Sequence, residues 1–301
     1  MNGTKPKVVV IVGPTASGKT ALALTLAKKF SGEVISADSR QIYRRLDIGT
    51  EKITPEEMDS IPHHLIDVCD VETVYNASDF KDAGTQAITE ICSHGNLPII
   101  AGGTFFYIDT LLGKIVAPEV PPNPELRAHL EELSTEMLFA QLERTDPERS
   151  FTIDRDNKRR LIRALEIGQA LGSVPKQHIL LEDLPYDVLT IGIQTNKVEL
   201  RARIRARAEQ ALTRGLIEET QELLDSGVTH ERLSEIGHEY RIVLAYLAGS
   251  LDDQALIQKL EEKNWQYAKT QSTWLKRDDS IQWFEHDDIE NITKAVATFI
   301  E

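Results

Sequence analysis

The stretch Val8-Val9-Val10-Ile11-Val12-Gly13-Pro14-Thr15-Ala16-Ser17-Gly18-Lys19-Thr20 decides the fold. It begins as an apolar run and ends in glycine, lysine and threonine at the spacing of a P-loop, G-x-x-x-x-G-K-[S/T]. In that motif backbone N–H groups surround phosphate oxygens, the lysine reaches further along the phosphate chain, and the Ser/Thr hydroxyl holds Mg²⁺. The motif therefore predicts a phosphate-binding site. The alternative, a glycine turn that binds nothing, is disfavoured by the strand-like sequence before it and the helical pattern after it.

Short apolar runs alternate with helical patterns over the first hundred residues. The predicted strands lie at 7–12, 33–37, 64–67 and 97–101, and the predicted helices at 21–30 and 78–93. Ser78 and Asp79 are expected to cap the second of these helices. The alternation is typical of βαβ units, so the sequence predicts an α/β fold with a P-loop parallel-sheet core.

Residues 117–185 are predicted to form a helical insertion domain in this core. Four prolines within 117–124 can neither continue a helix nor pair in a central strand, so they mark a boundary. Asn123 followed by Pro124 is typical of a helix N-cap with proline at the first helical position. The core is then discontinuous and consists of 1–116 and 186–301.

The second part of the core is predicted to be mostly helical. A strand-like run at 187–193 is expected to return the chain to the sheet. Helical patterns fill 197–276, with turns near Gly227 and Gly249. A short strand at 281–284 and a last helix complete the chain.

Composition limits the function classes. The chain has 301 residues and a formal net charge of −14, which argues against binding nucleic acid through bulk electrostatics. Any polyanion must therefore meet local basic patches. No window approaches the roughly 18 apolar residues that span a bilayer, and the N-terminus lacks a signal-peptide layout. We expect a cytoplasmic monomer with no membrane segment.

Asp38 is the first candidate for chemistry. It follows the second predicted strand, at the edge of the sheet where ligands gather, and that strand is expected to lie beside the P-loop strand. The carboxylate could hold a metal, accept a proton from a nucleophile, or cap the following turn. The strand at 97–101 ends in Gly102-Gly103-Thr104, where many P-loop enzymes place an acidic metal ligand. The usual set of phosphoryl-transfer residues is therefore incomplete.

Arginine is concentrated in two predicted helices. The basic residues of the insertion are Arg155, Lys158, Arg159, Arg160 and Arg163, and those of the helix after the returning strand are Arg201, Arg203, Arg205, Arg207 and Arg214. Charges three or four residues apart share a helix face, so several of them could meet one phosphate-rich ligand. The alternative is a solvated face paired with neighbouring glutamates.

Two other groups allow a structural and a functional interpretation. His63 and His64 could belong to a metal or acid–base site, but no third ligand stands at a telling spacing, which favours a structural role. Trp265, Tyr267 and Trp274 could stack nucleic-acid bases, although such spacing is more often a core stripe.

Several motifs in order along the chain resemble the tRNA dimethylallyltransferases, also called tRNA isopentenyltransferases. In the first half they are the P-loop, Ser36-Ala-Asp-Ser-Arg-Gln-Ile-Tyr43, Asp47-Ile-Gly-Thr50, Pro62-His-His-Leu-Ile-Asp67 and Gly102-Gly-Thr104. In the second half they are Arg160-Leu-Ile-Arg-Ala-Leu-Glu166, Arg203-Ile with Arg207, Gly215-Leu-Ile-Glu-Glu219, and Tyr267-Ala-Lys with Gln271 and Thr273-Trp274. The resemblance covers nearly the whole chain, which a shared P-loop fold alone would not produce.

The resemblance implies transfer of a dimethylallyl group from dimethylallyl diphosphate to N6 of the tRNA adenosine just 3′ of the anticodon, with Mg²⁺. The P-loop, Gly13 to Thr20, would hold the diphosphate leaving group. Lys19 and Arg207 would neutralise its charge, and Thr20 would help place the metal. Asp38 would accept the proton from the attacking amine, and Thr104 would help position the substrates.

The resemblance also implies that the target base is flipped out of a gripped anticodon loop. The residues that match the family's tRNA-contacting positions are Asp38, Ser39, Arg40, Gln41, Arg127, Arg159, Arg160, Leu161, Ile162 and Arg163. Most of the basic residues among them lie in the insertion, so a local basic patch could bind RNA although the chain as a whole is negatively charged.

The chain departs from the family pattern at the positions Gly237-His238-Glu239-Tyr240, Thr270, Phe105 and Asp154-Arg155-Asp156. Two other functions therefore stay open at this stage. A P-loop small-molecule kinase would phosphorylate with ATP and transfer no prenyl group. A tRNA-binding protein that has lost catalysis would bind tRNA tightly whether or not Asp38 is present.

Overall fold

A parallel sheet surrounded by helices makes up the part of the chain that the computed structural model describes, residues 5–115, 118, 120–175 and 184–301. The strands are β1 (Lys7–Val12), β2 (Gly32–Ser36), β3 (His63–His64), β4 (Leu97–Ala101), β5 (Asp187–Gln194) and β6 (Gln282–Glu285). The first helices are α1 (Lys19–Phe30), α2 (Pro55–Met58), α3 (Ala77–Ser93), α4 (Phe105–Leu111), α5 (Pro124–Glu131), α6 (Thr135–Thr145) and α7 (Pro147–Ser150). The others are α8 (Lys158–Leu171), α9 (Lys197–Thr213), α10 (Leu216–Asp225), α11 (His230–Ile236), α12 (His238–Leu247), α13 (Asp253–Leu275) and α14 (Ile289–Ile300).

The sheet has the order β3-β2-β4-β1-β5-β6. Each pair of neighbours is parallel, and β1 lies between β4 and β5, with Val9 opposite Ile99 on one side and Leu189 on the other. Parallel strands of this kind are covered on both faces, which is why β1 reads as an unbroken apolar run. The predicted P-loop parallel-sheet core is confirmed.

The two faces of β1 build two separate hydrophobic clusters. Val8 and Val10 face α3 and α4 and pack in the cluster that contains Phe80. Val9 and Ile11 face the opposite way, among the buried side chains of α1 and α14. Successive side chains of a strand point to opposite faces, so one short run closes both layers of the core. The P-loop that follows β1 is thereby attached to a central strand whose residues from Val8 to Val12 are all buried.

Three sequence-based expectations near the sheet are wrong in detail. The strand that leads to Asp38 does not lie beside β1, because β4 is inserted between β1 and β2. The strand predicted at 64–67 is reduced to His63–His64, since Leu65 and Asp67 adopt positive φ angles of 63° and 54°. The N-cap of α3 is Asn76, whose side chain accepts from the backbone of Ser78, while Asp79 closes the capping box.

The chain from β5 onward follows the predicted pattern more closely. The strand predicted at 187–193 pairs along β1 as β5, and the predicted turns near Gly227 and Gly249 separate α10 from α11 and α12 from α13. Two further breaks interrupt the helical region. Gly215 has a φ of 101° and begins α10, and Gly237 separates α11 from α12.

Contacts divide the chain into two units, Met1–Gly113 with Leu181–Glu301, and Lys114–Leu180. The predicted insertion at 117–185 overlaps the second unit, although residues 117, 119 and 176–183 lie outside the described part of the chain. In this unit α5, α6 and α8 pack around a small leucine-rich cluster. The predicted cap of α5 is confirmed, because the side chain of Asn123 accepts from the backbone N–H of Leu126 and Pro124 follows it. No helix among the described residues is long and apolar enough to cross a membrane.

Candidate active site

The P-loop joins β1 to α1 through two glycines that are needed for different reasons. A Cβ at Gly13 would lie 2.7 Å from the Ser17 hydroxyl and 3.2 Å from the carbonyl oxygen of Ile193, so the close approach of β5 excludes a larger residue. Gly18 has a φ of 99° and forms the N-cap of α1 without a side-chain hydrogen bond. The first N–H groups of α1 are therefore directed at the loop, as an anion site requires.

Lys19 turns its ammonium group back over the loop. Its Nζ donates to the carbonyl oxygens of Gly13 at 3.0 Å and Pro14 at 2.8 Å. Burial of this ammonium, together with the nearby Arg207 guanidinium, lowers the pKa of Lys19 to about 8. The lysine is thus held over the loop at a point where an incoming anion would replace two backbone carbonyls.

A cavity of about 480 Å³ lies in front of the P-loop, within the first unit. The predicted site residues that line it are Thr15, Ala16, Gly18, Lys19, Thr20, Asp38, Arg40, Gln41 and Arg207. The P-loop, the segment after β2 and the middle of α9 therefore meet in one space, although α9 follows the loop by nearly 180 residues along the chain.

Asp38 and Thr104 follow two adjacent strands, and hydrogen bonds join the two strand ends. The backbone N–H of Thr104 donates to the carbonyl of Ala37 at 3.0 Å, and the N–H of Ser39 donates to Thr104 Oγ1 at 3.0 Å. A Cβ at Gly102 would lie 2.2 Å from the Ala37 oxygen. The glycine that stands where other P-loop enzymes place an acid is therefore required by the close approach of the strand that carries Asp38.

The carboxylate of Asp38 faces the cavity beside two residues with internal partners. Asp38 Oδ1 accepts from the backbone N–H of Arg40 at 2.9 Å. The Arg40 guanidinium forms a buried ion pair with Glu239 and lies 5.9 Å from the ring centroid of Tyr267. Gln41 Nε2 donates to the carbonyl of Thr50 at 3.2 Å. A tRNA contact of Arg40 or Gln41 remains a prediction, since both side chains already serve the fold.

The arginines of α9 separate into two groups. Arg203 and Arg207 are four residues apart and line the cavity, and Arg207 forms an ion pair with Glu51. Arg201 and Arg205 pair with glutamates instead, at 2.9 Å to Glu261 and 3.0 Å to Glu209. The solvated-face interpretation thus holds for Arg201 and Arg205, and the ligand interpretation is favoured for Arg207 by its position.

Sequence reasoning missed the acidic and amide partners of the site. Glu51 lines the cavity, and burial raises its pKa although Arg207 acts in the opposite direction. Gln271 accepts from the N–H of Thr15 at 2.7 Å and donates to the carbonyl of Gly103 at 3.0 Å. Tyr267, one turn earlier, donates to the same carbonyl at 3.2 Å, and burial raises its pKa to about 12. The spacing of Tyr267 and Gln271 on one helix face was the only local signal.

The histidine pair and the tryptophans have structural partners. His64 Nε2 lies 2.6 Å from the Glu33 carboxylate, and His63 Nδ1 lies 2.8 Å from the carbonyl of Ile61. Trp274 Nε1 donates to Asp109 at 2.9 Å, and Trp265 packs against a small cluster that joins α9 and α13. Of the three aromatic residues weighed as base-stacking candidates, Tyr267 is the one that lines the cavity.

In the second unit the predicted tRNA-contacting residues differ in exposure. Arg159 and Arg160 are exposed, whereas Leu161 and Ile162 are buried in the core of the unit. Contacts of the Leu161 and Ile162 side chains with tRNA stay a prediction, and the burial of both side chains does not favour it. Their burial orients the exposed first turn of α8.

Arg127 and Arg163 share one buried carboxylate. Glu166 accepts from Arg127 Nε at 2.9 Å and Nη2 at 2.8 Å, and it also pairs with Arg163. The backbone N–H of Asn123 donates to the same carboxylate at 2.7 Å. Burial alone would raise the pKa of Glu166, but these donors outweigh it and hold the pKa at about 2. Arg127 thus fixes α5 against α8, while Arg163 pairs with Glu166 within α8 itself.

Comparison with known proteins identifies the family of this chain. The IPP transferase family model matches residues 41–278. A tRNA dimethylallyltransferase of Thermomicrobium roseum is 43% identical over 289 residues, which are 95% of this chain and 88% of that protein. Among solved structures, the full-length tRNA isopentenylpyrophosphate transferase of Bacillus halodurans has a TM-score of 0.74 and 36% identity, covering 98% of this chain and 97% of that one. A eukaryotic dimethylallyltransferase acting on tRNA has a TM-score of 0.80 and 28% identity, covering 95% and 75%. The chain therefore belongs to the IPP transferase family.

Proposed function

We propose that the chain transfers a dimethylallyl group from dimethylallyl diphosphate to N6 of the adenosine immediately 3′ of the anticodon in tRNA, and releases diphosphate. Membership of the family supports the reaction class, and the names of the relatives support the substrates. The observation that carries the proposal is the meeting of Lys19, Arg207 and Asp38 in one cavity. A site that holds a diphosphate and a general base side by side suits transfer of the group attached to that diphosphate.

The proposed reaction forms the bond between N6 of adenosine and C1 of the dimethylallyl group, and breaks the bond between C1 and the diphosphate oxygen. The N6 proton passes to the Asp38 carboxylate. The leaving diphosphate takes the bonding electron pair and is stabilised by Lys19, Arg207 and the N–H groups of the P-loop. No phosphoryl group moves, so the reaction does not require an acidic residue at the end of β4.

Thr104 acts in this scheme by fixing the segment that carries Asp38. Its hydroxyl accepts from the Ser39 N–H and lies 3.2 Å from the Ser39 hydroxyl. The hydrogen bonds between the ends of β2 and β4 hold Asp38, the proposed proton acceptor, at the mouth of the P-loop. Thr104 is therefore proposed as a positioning residue with one hydroxyl near the substrates.

The oxygen donors of the cavity fit a magnesium ion bound together with the diphosphate. Mg²⁺ is usually held by one or two protein oxygens, with phosphate oxygens and water completing the octahedron. Thr20 and Asp38 both line the cavity, and no group of three acidic, histidine or cysteine side chains that could hold a metal occurs among the described residues. We propose Thr20 as the protein ligand. The ion would offset charge on the departing diphosphate.

Recognition of tRNA is part of the same proposal. The target adenine must leave the stack of the anticodon loop to reach a carbon held in the cavity. Asp38, Ser39, Arg40 and Gln41 are proposed to meet the flipped nucleotide, and Arg159 and Arg160 to bind the RNA backbone. Arg127 and Arg163 are proposed to support that surface through Glu166. A cytoplasmic monomer is the proposed working form.

The test is a transfer assay with isotope-labelled dimethylallyl diphosphate, Mg²⁺ and an unmodified tRNA that has adenosine 3′ of the anticodon. Label on N6 of that adenosine is expected, and the matched tRNA with guanosine at this position should receive none. A parallel reaction contains ATP labelled at its γ-phosphate and candidate small-molecule acceptors. Phosphorylation without prenyl transfer would favour a kinase, and tight tRNA binding with no transfer would favour a binding protein.

A further inference from the structure

Glu51 is an acidic residue of the cavity that the transfer reaction does not use. Its half-buried side chain lines the same space as Lys19 and Thr20, and its carboxylate is paired with Arg207. Arg207 is one of the two cations proposed to receive the diphosphate. The Glu51 carboxylate therefore already pairs with a cation that the leaving diphosphate needs.

The backbone beneath Glu51 is held in place. Glu51 adopts a positive φ of 52°, and its carbonyl accepts from Gln41 Nε2 at 3.3 Å. Just before it, the N–H groups of Asp47, Ile48 and Gly49 donate to the Glu219 carboxylate at 2.7 to 3.0 Å. A displacement of this loop would break those bonds, so the carboxylate can leave Arg207 by side-chain rotation but not by a simple backbone shift.

The charges around the cavity give Glu51 a distinct place. Among the described residues that line the cavity, the cations are Lys19, Arg40, Arg203 and Arg207, and the acids are Asp38, Glu51 and Glu239. Arg40 is neutralised by Glu239, and Arg203 pairs with Glu199 at 2.6 Å. Lys19 and Arg207 remain for a diphosphate. Of the acids that line the cavity, Asp38 is the proposed general base and Glu239 neutralises Arg40. Glu51 is the one that offsets the charge of Lys19 and Arg207 and has no other role in the reaction.

We propose that Glu51 is an internal anion that competes with diphosphate for Arg207 and thereby weakens the hold of the enzyme on the released product. The inference rests on the proposed function. A cavity with only cations at the P-loop would retain a free diphosphate strongly, because its charge is concentrated on two phosphates. When diphosphate leaves, the carboxylate returns to Arg207, so the vacated guanidinium is not left without an anion in a partly desolvated site.

An opposite role for the same ion pair makes the proposal testable. If Glu51 served only to orient Arg207 for the substrate, its removal would weaken diphosphate binding, because the guanidinium would lose its position. If Glu51 competes, its removal tightens binding. The two roles therefore predict opposite changes in diphosphate affinity when Glu51 is replaced.

The experiment is calorimetric titration of the full chain with inorganic diphosphate and Mg²⁺. Glu51→Gln keeps the shape of the side chain and removes its charge, and we expect it to tighten diphosphate binding by about tenfold, the scale of one partly screened charge interaction. Glu51→Asn is the second variant, because asparagine tolerates the positive φ at this position. The matched control is Glu209→Gln, which removes the partner of Arg205 on the same helix outside the cavity.

The outcomes separate the inference from the function on which it rests. Tighter binding in the folded Glu51 variants, with the Glu209 variant equal to the parent and the gain lost in an Arg207→Gln background, supports the proposal. Unchanged or weaker binding in both Glu51 variants overturns it while the parent still binds diphosphate. A parent that binds no diphosphate overturns the proposed function itself. In steady-state transfer, the inhibition constant of diphosphate should fall by the same factor in Glu51→Gln.

Discussion

Gln271 on α13 holds the P-loop through Thr15. Its Oε1 accepts from the backbone N–H of Thr15 at 2.7 Å, and its Nε2 donates to the carbonyl of Gly103 at 3.0 Å. The residue is 3% exposed, so both bonds are made away from bulk water. One amide thus fixes the distance between the phosphate loop and the segment after β4, where Thr104 immediately precedes α4.

Replacement of Gln271 by alanine should loosen this junction. We expect diphosphate binding to weaken by roughly tenfold, because one or two buried hydrogen bonds of about 1 kcal/mol each are lost and the Thr15 N–H is left unpaired. The measurement is the affinity for inorganic diphosphate. The control is Gln266→Ala on the exposed part of the same helix, and equal affinities of the two variants would contradict the role of Gln271.

The sequence could predict the P-loop and most strands, because those features are local. The apolar run of β1 and the glycine-lysine-threonine ending need no information from elsewhere in the chain. Strand order is different, since which strands become neighbours is decided by how helices pack across the sheet. The expectation that Asp38 follows a strand beside β1 was wrong for that reason, although Asp38 does face the same cavity.

The partners of the site could not be predicted from local pattern. Gln271 is separated from Thr15 by 256 residues, and Glu239 is 199 residues from Arg40. The spacing of Tyr267 and Gln271 places both residues on one helix face, but neither that spacing nor the sequence around Glu239 indicates which distant groups these side chains contact. Glu166 is similar, because its burial and its pairing with Arg127 follow only from the packing of α5 on α8, although its neighbour Arg163 stands three residues away on the same helix. Long-range pairing of this kind is a property of the folded chain.

Replacement of Asp38 by asparagine should slow the transfer step. The amide keeps the acceptor for the Arg40 N–H but cannot take a proton at neutral pH, so we expect turnover to fall by roughly 10² or more. The affinity for tRNA should change little. Single-turnover transfer and tRNA binding are the two measurements, with Asp82→Asn on the exposed face of α3 as control. A variant with the activity of the parent would remove Asp38 from the mechanism.

Replacement of Glu219 by alanine should release the loop that precedes Glu51. The carboxylate accepts three backbone N–H groups from Asp47 to Gly49 and the Tyr240 hydroxyl at 2.9 Å. Its loss leaves those donors without their partner, which should cost about 2–3 kcal/mol. Amide hydrogen exchange at residues 47–49 should become much faster. Glu218→Ala, at the exposed neighbouring position, should leave that exchange slow. Slow exchange in both variants would show that Glu219 does not hold this loop.

Glu166 should make the second unit sensitive to acid. Its pKa is about 2 in the fold against a reference value of 4.5, so the stabilisation is fully present above pH 4.5 and is lost as the pH falls toward 2. Arg127→Ala should destabilise this unit by about 2 kcal/mol at neutral pH, because a buried carboxylate loses a bidentate partner. The difference in melting temperature from the parent should narrow in acid.

Arg160→Ala is the matched control for Arg127 in the second unit. Its side chain is exposed on the first turn of α8, so the melting temperature should stay that of the parent. Its affinity for tRNA should fall a few-fold, and the slope of log affinity against log salt should decrease by about 1. If Arg127→Ala lowered tRNA affinity with no loss of stability, the division between supporting and contacting arginines would be wrong.

Lys19 should give diphosphate binding a dependence on pH in the mildly alkaline range. Its pKa is about 8 in the free protein, and a bound anion favours the protonated ammonium, so the contribution of Lys19 to the affinity should be fully present well below pH 8 and should decline as the pH rises through 8. The loss approaches tenfold for each pH unit until the pKa of the bound state is reached.

Lys19→Arg keeps its charge throughout this range and should not lose affinity in the same way. Titration of diphosphate itself affects both proteins, so it cancels in the ratio of their affinities measured from pH 6.5 to 9.5. A ratio that does not change with pH would show that Lys19 remains charged in the free protein and that its burial does not control binding.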